Sequence, residues 1–282
     1  MTTLDRRPGY GALAQSMVTF ARVDQLVRRS MDAARRGLGA MLAEAMTTDE
    51  LRVLSAQLYG SLMTGASAQH GLWDWEARWF AERLPAPPAR IFLGGAGAGR
   101  ESVPLLERGY EVDGLEPSAS LCTTLATVLG PTRLAVRASY EELSAAVLDG
   151  AAGPAAPFVG RRYDAVVLGW GSLTHVLVER ERERIVRTSA VLTDGPILAS
   201  FWMRDESADA GSWGRAARVG KLVGRGLGRL RLGGQSVPGE QSAFGHAFRR
   251  QELEDLAAGI GRDVRWEGSS GVYPHATLVK RA

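Results

Sequence analysis

Residues 90–101, Arg90-Ile-Phe-Leu-Gly-Gly-Ala-Gly-Ala-Gly-Arg-Glu101, are the first place in this chain where residue types and spacing could do chemistry. An apolar run leads into glycines and then into a helix-like stretch. Glycines let a backbone come close to a ligand, and the free N–H groups at a helix start attract anionic or polar groups. Alone the motif is weak, because several nucleotide-binding families share it. The dinucleotide fingerprint needs G-x-G-x-x-G, whereas Gly95-Ala96-Gly97-Ala98-Gly99 is G-x-G-x-G. A second signal follows in Val112-Asp-Gly-Leu-Glu-Pro117, where an apolar run ends in Glu116, 17 positions beyond Gly99. A carboxylate at a strand's end can accept both hydroxyls of a ribose. The plain alternative is a solvated acid at a strand end, but the two motifs in this order are more specific than either alone. Proton transfer calls for histidine, whose unperturbed pKa is about 6.5. The chain has four: His70, His175, His246 and His275.

The elements that must position these residues follow from periodicity. Residues 11–83 read as helical. Leu13, Met17, Phe20, Val23, Val27, Met31 and Leu38 recur mostly at helical spacing. Thr47-Thr-Asp-Glu50 is a capping box that opens a second helix, and a third carries Leu72 to Phe80. Pro85, Pro87 and Pro88 mark a boundary. Beyond it, apolar runs alternate with helical stretches: Ile91–Gly94, Val103–Leu106, Val112–Leu115, Leu121–Leu129, Leu134–Val136, Leu143–Val147, Ala165–Leu168, Val176–Leu192 and Ile197–Trp202. This alternation predicts βαβ units and a parallel sheet. A last helix at Gln251–Ala258 and two strands, Val264–Gly268 and His275–Val279, close the chain. Ahead of that helix, Gly211–Gly234 holds many glycines, six Lys or Arg and no acid. Arg215, Arg218, Lys221, Arg225 and Arg229 would share one helix face, though five glycines from Gly214 to Gly228 weaken such a helix. A flexible solvated insertion over 211–245 is the plain reading. A lid offering cations to an acidic substrate is the functional one.

From Arg90 to about Leu121 the chain resembles the first two motifs of class I S-adenosylmethionine-dependent methyltransferases. Tyr163-Asp-Ala-Val-Val-Leu-Gly-Trp-Gly-Ser-Leu-Thr-His175 resembles that family's fourth strand and following loop. Phe244-Gly-His-Ala-Phe-Arg-Arg-Gln-Glu-Leu253 resembles the segment before the last helix in bacterial small-molecule members. The resemblance implies an α/β fold: a Rossmann-like, seven-stranded, mostly parallel sheet with an antiparallel last strand, over residues 85–282. Residues 1–84 would form an N-terminal helical cap on the substrate side. It implies S-adenosyl-L-methionine as cofactor, and methyl transfer to the oxygen or nitrogen of a small molecule, in secondary metabolism (natural-product biosynthesis). The cofactor-binding positions it implies are Gly95, Ala96, Gly97, Gly99, Glu116, Pro117, Ser139, Tyr140, Gly169 and Trp170.

Several of these positions have a second reading. Ser139 and Tyr140 could equally be a helix cap and a packing aromatic. Trp170 could wall the sulfonium or an aromatic acceptor, or pack under its loop. His175, at the sheet's carboxyl edge, leads as catalytic base or acceptor-orienting residue, with a structural histidine as alternative. His246 is the second candidate, and His275 reads as structural. One departure stands out. The family usually carries an acid two residues before the first glycine, where this chain, like some bacterial members, has an apolar residue, Leu93. That leaves open which residue receives the cofactor's ammonium. Asp74 and Glu76 in Gly71-Leu-Trp-Asp-Trp-Glu76 are candidates, with surface charge the favoured reading.

Composition excludes other classes. With 45% hydrophobic and 23% charged residues the chain is ordinary globular material, and a net charge of +3 demands no nucleic acid. An Asp/Asn-Pro-Pro-aromatic run, common in enzymes that methylate exocyclic base nitrogens, is missing, so nucleic acid is disfavoured as partner. The one cysteine, Cys122, makes no internal disulfide, and no secretory leader opens the sequence, which predicts a cytoplasmic protein. Residues 53–73 are the longest stretch without charge but too polar for a bilayer, so no membrane is expected. No metal site is read, and among oligomeric states a homodimer is one option. Two rivals remain: a noncatalytic module that binds adenosylmethionine or a partner protein, and an NAD-binding oxidoreductase, which the glycine spacing disfavours.

Overall fold

The computed structural model describes residues 12–47, 49–51, 53, 71–203, 218–226, 241–242, 245–268 and 274–281. His70, Arg215 and Arg229 lie outside them, as does most of the 211–245 segment. Strands β1 (Arg90–Gly94), β2 (Glu111–Leu115), β3 (Ala135–Val136), β4 (Ala165–Leu168) and β5 (Ile197–Ser200) form the parallel part of a seven-stranded sheet. With β9 (Arg262–Gly268) and β10 (His275–Lys280) its order is β3-β2-β1-β4-β5-β10-β9. The last strand, β10, is antiparallel to both its neighbours, β5 and β9. Seven strands, mostly parallel, with the last one antiparallel are what the resemblance implies; the order of the strands is not read from the sequence.

Both faces are covered, which is why the strands are continuous apolar runs. Alternate residues of β1 point to opposite sides. Phe92 joins a core with Val166, Leu168, Phe158 and Phe201; Ile91 and Leu93 join another with Val167, Leu198, Trp79 and Phe80. The helices on these faces are α2 (Asp74–Arg83), α3 (Ser102–Glu107), α4 (Ala119–Leu129), α5 (Tyr140–Asp149), α6 (Glu179–Leu192) and α8 (Arg250–Ala258). In α4, Leu121, Cys122, Leu125 and Leu129 recur at helical spacing and are the buried face. Two predicted elements are subdivided. The helix expected from Val176 begins at Glu179, after a 3-10 turn over Ser172–His175. The run Ile197–Trp202 ends as β5 at Ser200, and β6 (Trp202–Met203) leaves for a second sheet of order β6-β8-β7, with β7 (Gln241–Ser242) and β8 (Gly245–Phe248). The sequence did not indicate this small sheet, because its strands are too short to show alternation.

The N-terminal helix α1 (Ala12–Ala45) forms as predicted, and Thr47 and Glu50 cap the helical residues that follow, Thr47 N–H to Glu50 Oε2 at 2.9 Å and Glu50 N–H to Thr47 Oγ1 at 3.2 Å. Its apolar stripe is not a core face, however. Met17, Phe20, Val23, Val27, Met31 and Leu38 are all exposed. No helix among the described residues is long and apolar enough to cross a membrane.

Within the basic segment, residues 218–226 form a helix, α7. The glycines explain it. A Cβ on Gly220 would strike the carbonyl oxygen of Gly37, and one on Gly224 that of Met41. Two glycines four apart on α7 thus face two residues four apart on α1, and the backbones meet without side chains between them. Arg225 pairs with the buried Glu44 of α1. Overpacking costs typically 1–3 kcal/mol, so Gly220→Ala should lift α7 off α1. We expect faster amide exchange in 218–226, with the sheet's protection unchanged, by hydrogen-exchange mass spectrometry.

Candidate functional site

The glycine loop joins β1 to α3 at the carboxyl edge of the sheet. Gly95, Gly97 and Gly99 have φ of +63°, +56° and +98°, a left-handed backbone that side chains disfavour. Three bonds hold its shape: Ala96 N–H to Leu115 O at 3.0 Å, Gly99 N–H to Ala96 O at 3.0 Å, and Gly97 N–H to Glu116 Oε2 at 2.9 Å. Glu116 also accepts from Ser118 N–H, 2.8 Å from Oε1. It is buried at the end of β2. Burial pushes its carboxyl above the usual range, against the pull of those two N–H groups.

The glycines do different work. A Cβ on Gly95 would sit 2.6 Å from Ser172 Cβ, and one on Gly99 3.2 Å from a Val128 methyl, so these two make room for protein. A Cβ on Gly97 meets nothing within 4 Å. Of the three, only Gly97 leaves its approach open to a ligand. Tyr140 lies across the start of the loop: its hydroxyl is 2.7 Å from Ser172 Oγ, and a Cβ on Gly94 would lie 2.7 Å from its ring. Burial raises the Tyr140 hydroxyl's pKa, so it stays protonated. Ser139 is the N-cap of α5, its Oγ accepting from Glu142 N–H at 3.2 Å while Glu142 Oε2 accepts from Ser139 N–H at 2.7 Å. Pro117 is exposed beside Glu116.

Past β4, a Cβ on Gly169 would stand 2.9 Å from Glu101 Oε1, so a side chain there would displace that carboxylate. Trp170 holds φ +37°, strained for a bulky residue, and the Arg100 guanidinium lies 4.8 Å from its ring centre. His175 ends the 3-10 turn, half-buried, with its ring edge-to-face on Trp202 at 5.8 Å. His246 in β8 is buried, and its Nε2 lies 2.8 Å from both carboxylate oxygens of Glu252. Although burial raises the Glu252 carboxyl, hydrogen bonding and charge from His246 hold it below the usual range. Buried Arg182 donates from Nε to Glu252 at 3.1 Å and from Nη1 to the carbonyls of Val176 and Leu177. The two histidines are thereby linked through Glu252, Arg182 and the segment just after His175. His246 and Glu252 border a groove of about 690 Å³ between α6 and α8. His275 packs against Trp75 and Trp79 at 4.5 and 4.7 Å, as a structural residue would.

One sequence reading is corrected. Asp74 is exposed, but Glu76 is not a surface charge: it is 1% exposed and locked to Arg100. Ser172, Glu101, Arg182 and Glu252 were not singled out. All lie within or next to recognised segments, but Ser172 bonds Tyr140 32 residues away and Arg182 bonds Glu252 70 residues away, while Glu101 stands beside its partner Arg100.

No protein-family profile matches this chain, and no curated protein sequence does. Solved structures do resemble it. One is a protein of Nostoc punctiforme assigned as an O-methyltransferase: TM-score 0.51 at 14% identity, over 80% of this chain and 59% of that one. The CcbJ methyltransferase of Streptomyces caelestis matches at 17% identity and TM-score 0.48 over 80% and 96%. Magnesium protoporphyrin IX methyltransferase from Synechocystis, with bound SAH, matches at 16% and 0.46 over 83% and 86%. At such identities the likeness concerns fold alone. The sheet order, with the likeness to the Nostoc punctiforme structure, shows that this chain has a Rossmann-like fold.

The packing of the glycine loop is testable by melting temperature. Gly95→Ala must displace Ser172, whereas Gly97→Ala meets open space and costs only left-handed strain, about 1–2 kcal/mol. Gly95→Ala should therefore melt clearly lower than Gly97→Ala; equal losses would contradict the contacts described.

Proposed function

We propose that this protein transfers the methyl group of S-adenosyl-L-methionine to an oxygen or nitrogen of a small-molecule acceptor. The observation that carries this is the arrangement at the ends of β1 and β2. An open Gly97 and a buried carboxylate, Glu116, are joined by a hydrogen bond on adjacent parallel strands. Glu116 has lone pairs beyond the two that its backbone donors use, and can accept ribose hydroxyls with them. Ala96 at the loop, Pro117 and Ser139 at the neighbouring strand ends, Tyr140 across the loop, and Gly169 and Trp170 past β4 complete the proposed cofactor site. Secondary metabolism in the cytoplasm is the setting we favour, with residues 1–84 as the substrate-side cap.

In methyl transfer from a sulfonium, a lone pair on the acceptor attacks the methyl carbon in line, and the carbon–sulfur pair returns to sulfur. The protein's part is to hold the two reactants and exclude water, and proximity alone can contribute roughly 7–11 kcal/mol. A hydroxyl or ammonium acceptor also loses a proton, which we assign to His175, with His246 as the second candidate. His175 stands at the carboxyl edge of β4, where open α/β sheets bind their ligands.

Three measurements test this. First, Glu116→Ala should weaken adenosylhomocysteine binding about ten- to a hundredfold, the equivalent of one charge-assisted hydrogen bond or two; calorimetry showing parent affinity would remove Glu116 from the site. Second, the carboxylate is the form that accepts hydroxyls, so binding should be full at neutral pH and decline on acidification. Because the carboxyl's pKa is raised above 4.5, the decline should begin at a higher pH than an ordinary glutamate would give. Third, His175→Ala should lower turnover by roughly 10²–10⁴ with cofactor affinity unchanged. A stable variant with parent turnover across pH 6–9 would leave transfer to proximity alone.

A further inference from the structure

Two carboxylates and one guanidinium are enclosed where α2 meets the glycine loop. Glu76, Arg100 and Glu101 are 1%, 5% and 4% exposed. Arg100 grips Glu76 with a two-pronged fork, Nη1 to Oε2 at 2.7 Å and Nη2 to Oε1 at 2.6 Å, and Nη1 also reaches Gly71 O at 2.9 Å. Glu101 receives one bond from the same guanidinium, Nη2 to Oε1 at 2.8 Å. Arg100 and Glu76 balance each other, so Glu101 is the surplus negative charge in a buried place. Buried charges are ordinarily paired. Burial, aided by the nearby Glu76, pushes its carboxyl above the usual range despite Arg100.

A second, independent feature lies in the same cluster. Arg100 Nε is buried and has no hydrogen-bond partner, although burying a donor unsatisfied is costly. An undersupplied carboxylate beside an unused N–H donor is the complement of an α-amino-acid zwitterion. The cluster is also in the right place. Glu101 Oε1 abuts Gly169 at the carboxyl end of β4, two residues beyond Gly99, and Arg100 lies over Trp170. Leu93, fully buried inside β1, brings no charge to that edge.

We propose that Glu101 receives the α-ammonium of the cofactor's methionine moiety, taking the role that an acid at Leu93 would have. The Arg100–Glu76 pair holds Glu101 in position. This rests on the adenosylmethionine reading above. It makes α2, outside the sheet, part of what shapes the cofactor site. Glu101 is a binding residue here and takes no part in the methyl transfer.

The test compares ligands with and without the amino-acid end, by calorimetry on the full chain. Adenosylhomocysteine carries that end; 5′-methylthioadenosine keeps the adenosine and thioether without it. Glu101→Gln should weaken adenosylhomocysteine about tenfold or more, the loss of one charge-assisted bond, and leave methylthioadenosine unchanged. Unchanged adenosylhomocysteine affinity would overturn the proposal. So would parallel losses for both ligands, which would mark Glu101 as merely structural. Should the variant not fold, the parent decides alone: it should bind the deaminated analogue of adenosylhomocysteine about tenfold more weakly than adenosylhomocysteine, and equal binding overturns the assignment. A parent that binds neither adenosylhomocysteine nor methylthioadenosine overturns the cofactor reading itself, and this inference with it.

Discussion

The hydrogen bond from Gly97 N–H to the Glu116 carboxylate ties the glycine loop of one strand to the end of the next. A loop with three left-handed residues in five positions has no intrinsic reason to keep one shape, and glycine loses more chain entropy on ordering than any other residue. The parallel pairing of β1 with β2 supplies the anchor, through Leu115 O as well as Glu116. Everything that could recognise a ligand at this edge is referred to that anchor. Tyr140 and Ser172 close over Gly94 and Gly95, Glu101 follows the loop, and Gly169 and Trp170 stand opposite.

The fold also encloses other charged groups, Asp113, Arg182 and Glu252, each hydrogen-bonded. Asp113 in β2 accepts from Arg90, Tyr163 and Leu134 N–H and ties β2 to the starts of nearby strands. Arg182 and Glu252 connect α6, α8 and β8, and carry His246 with them. Removing one member of such a group strands the other in a low dielectric, which is why they act as positioning devices more than as sources of stability. The Glu76–Arg100–Glu101 group differs in having one carboxylate more than its cation balances.

Outside the sheet, α1 and α7 meet backbone to backbone through glycines. Close approach of this kind replaces side-chain interdigitation with dispersion contact along the main chain, and it tolerates no added methyl. The same glycines that argue against a helix in isolation, at about 1 kcal/mol each relative to alanine, are what allow this one to dock.

The sequence by itself determined the alternation of strands and helices, the glycine loop and the carboxylate that follows it, because these depend on local spacing: runs of four or five apolar residues for strands buried on both faces, G-x-G-x-G for a backbone needing left-handed conformations, and an acid directly after the second run. Helix ends were legible for the same reason, as with Thr47 and Glu50. The tertiary structure alone decided what touches what across the chain. Glu76 looked like a surface acid in an amphipathic stretch, and its burial depends on Arg100, 24 residues on. Tyr140 looked like either a cap neighbour or a cofactor contact, and its place follows from Ser172 across the loop, 32 residues away. The stripe on α1 had the right period for a core helix, yet period reports only that a face is apolar, and packing decides whether anything covers it. Local propensity is written residue by residue. Pairing of buried charges and the distribution of glycine's work between ligand and protein are set by the sheet order, which no single stretch of sequence contains.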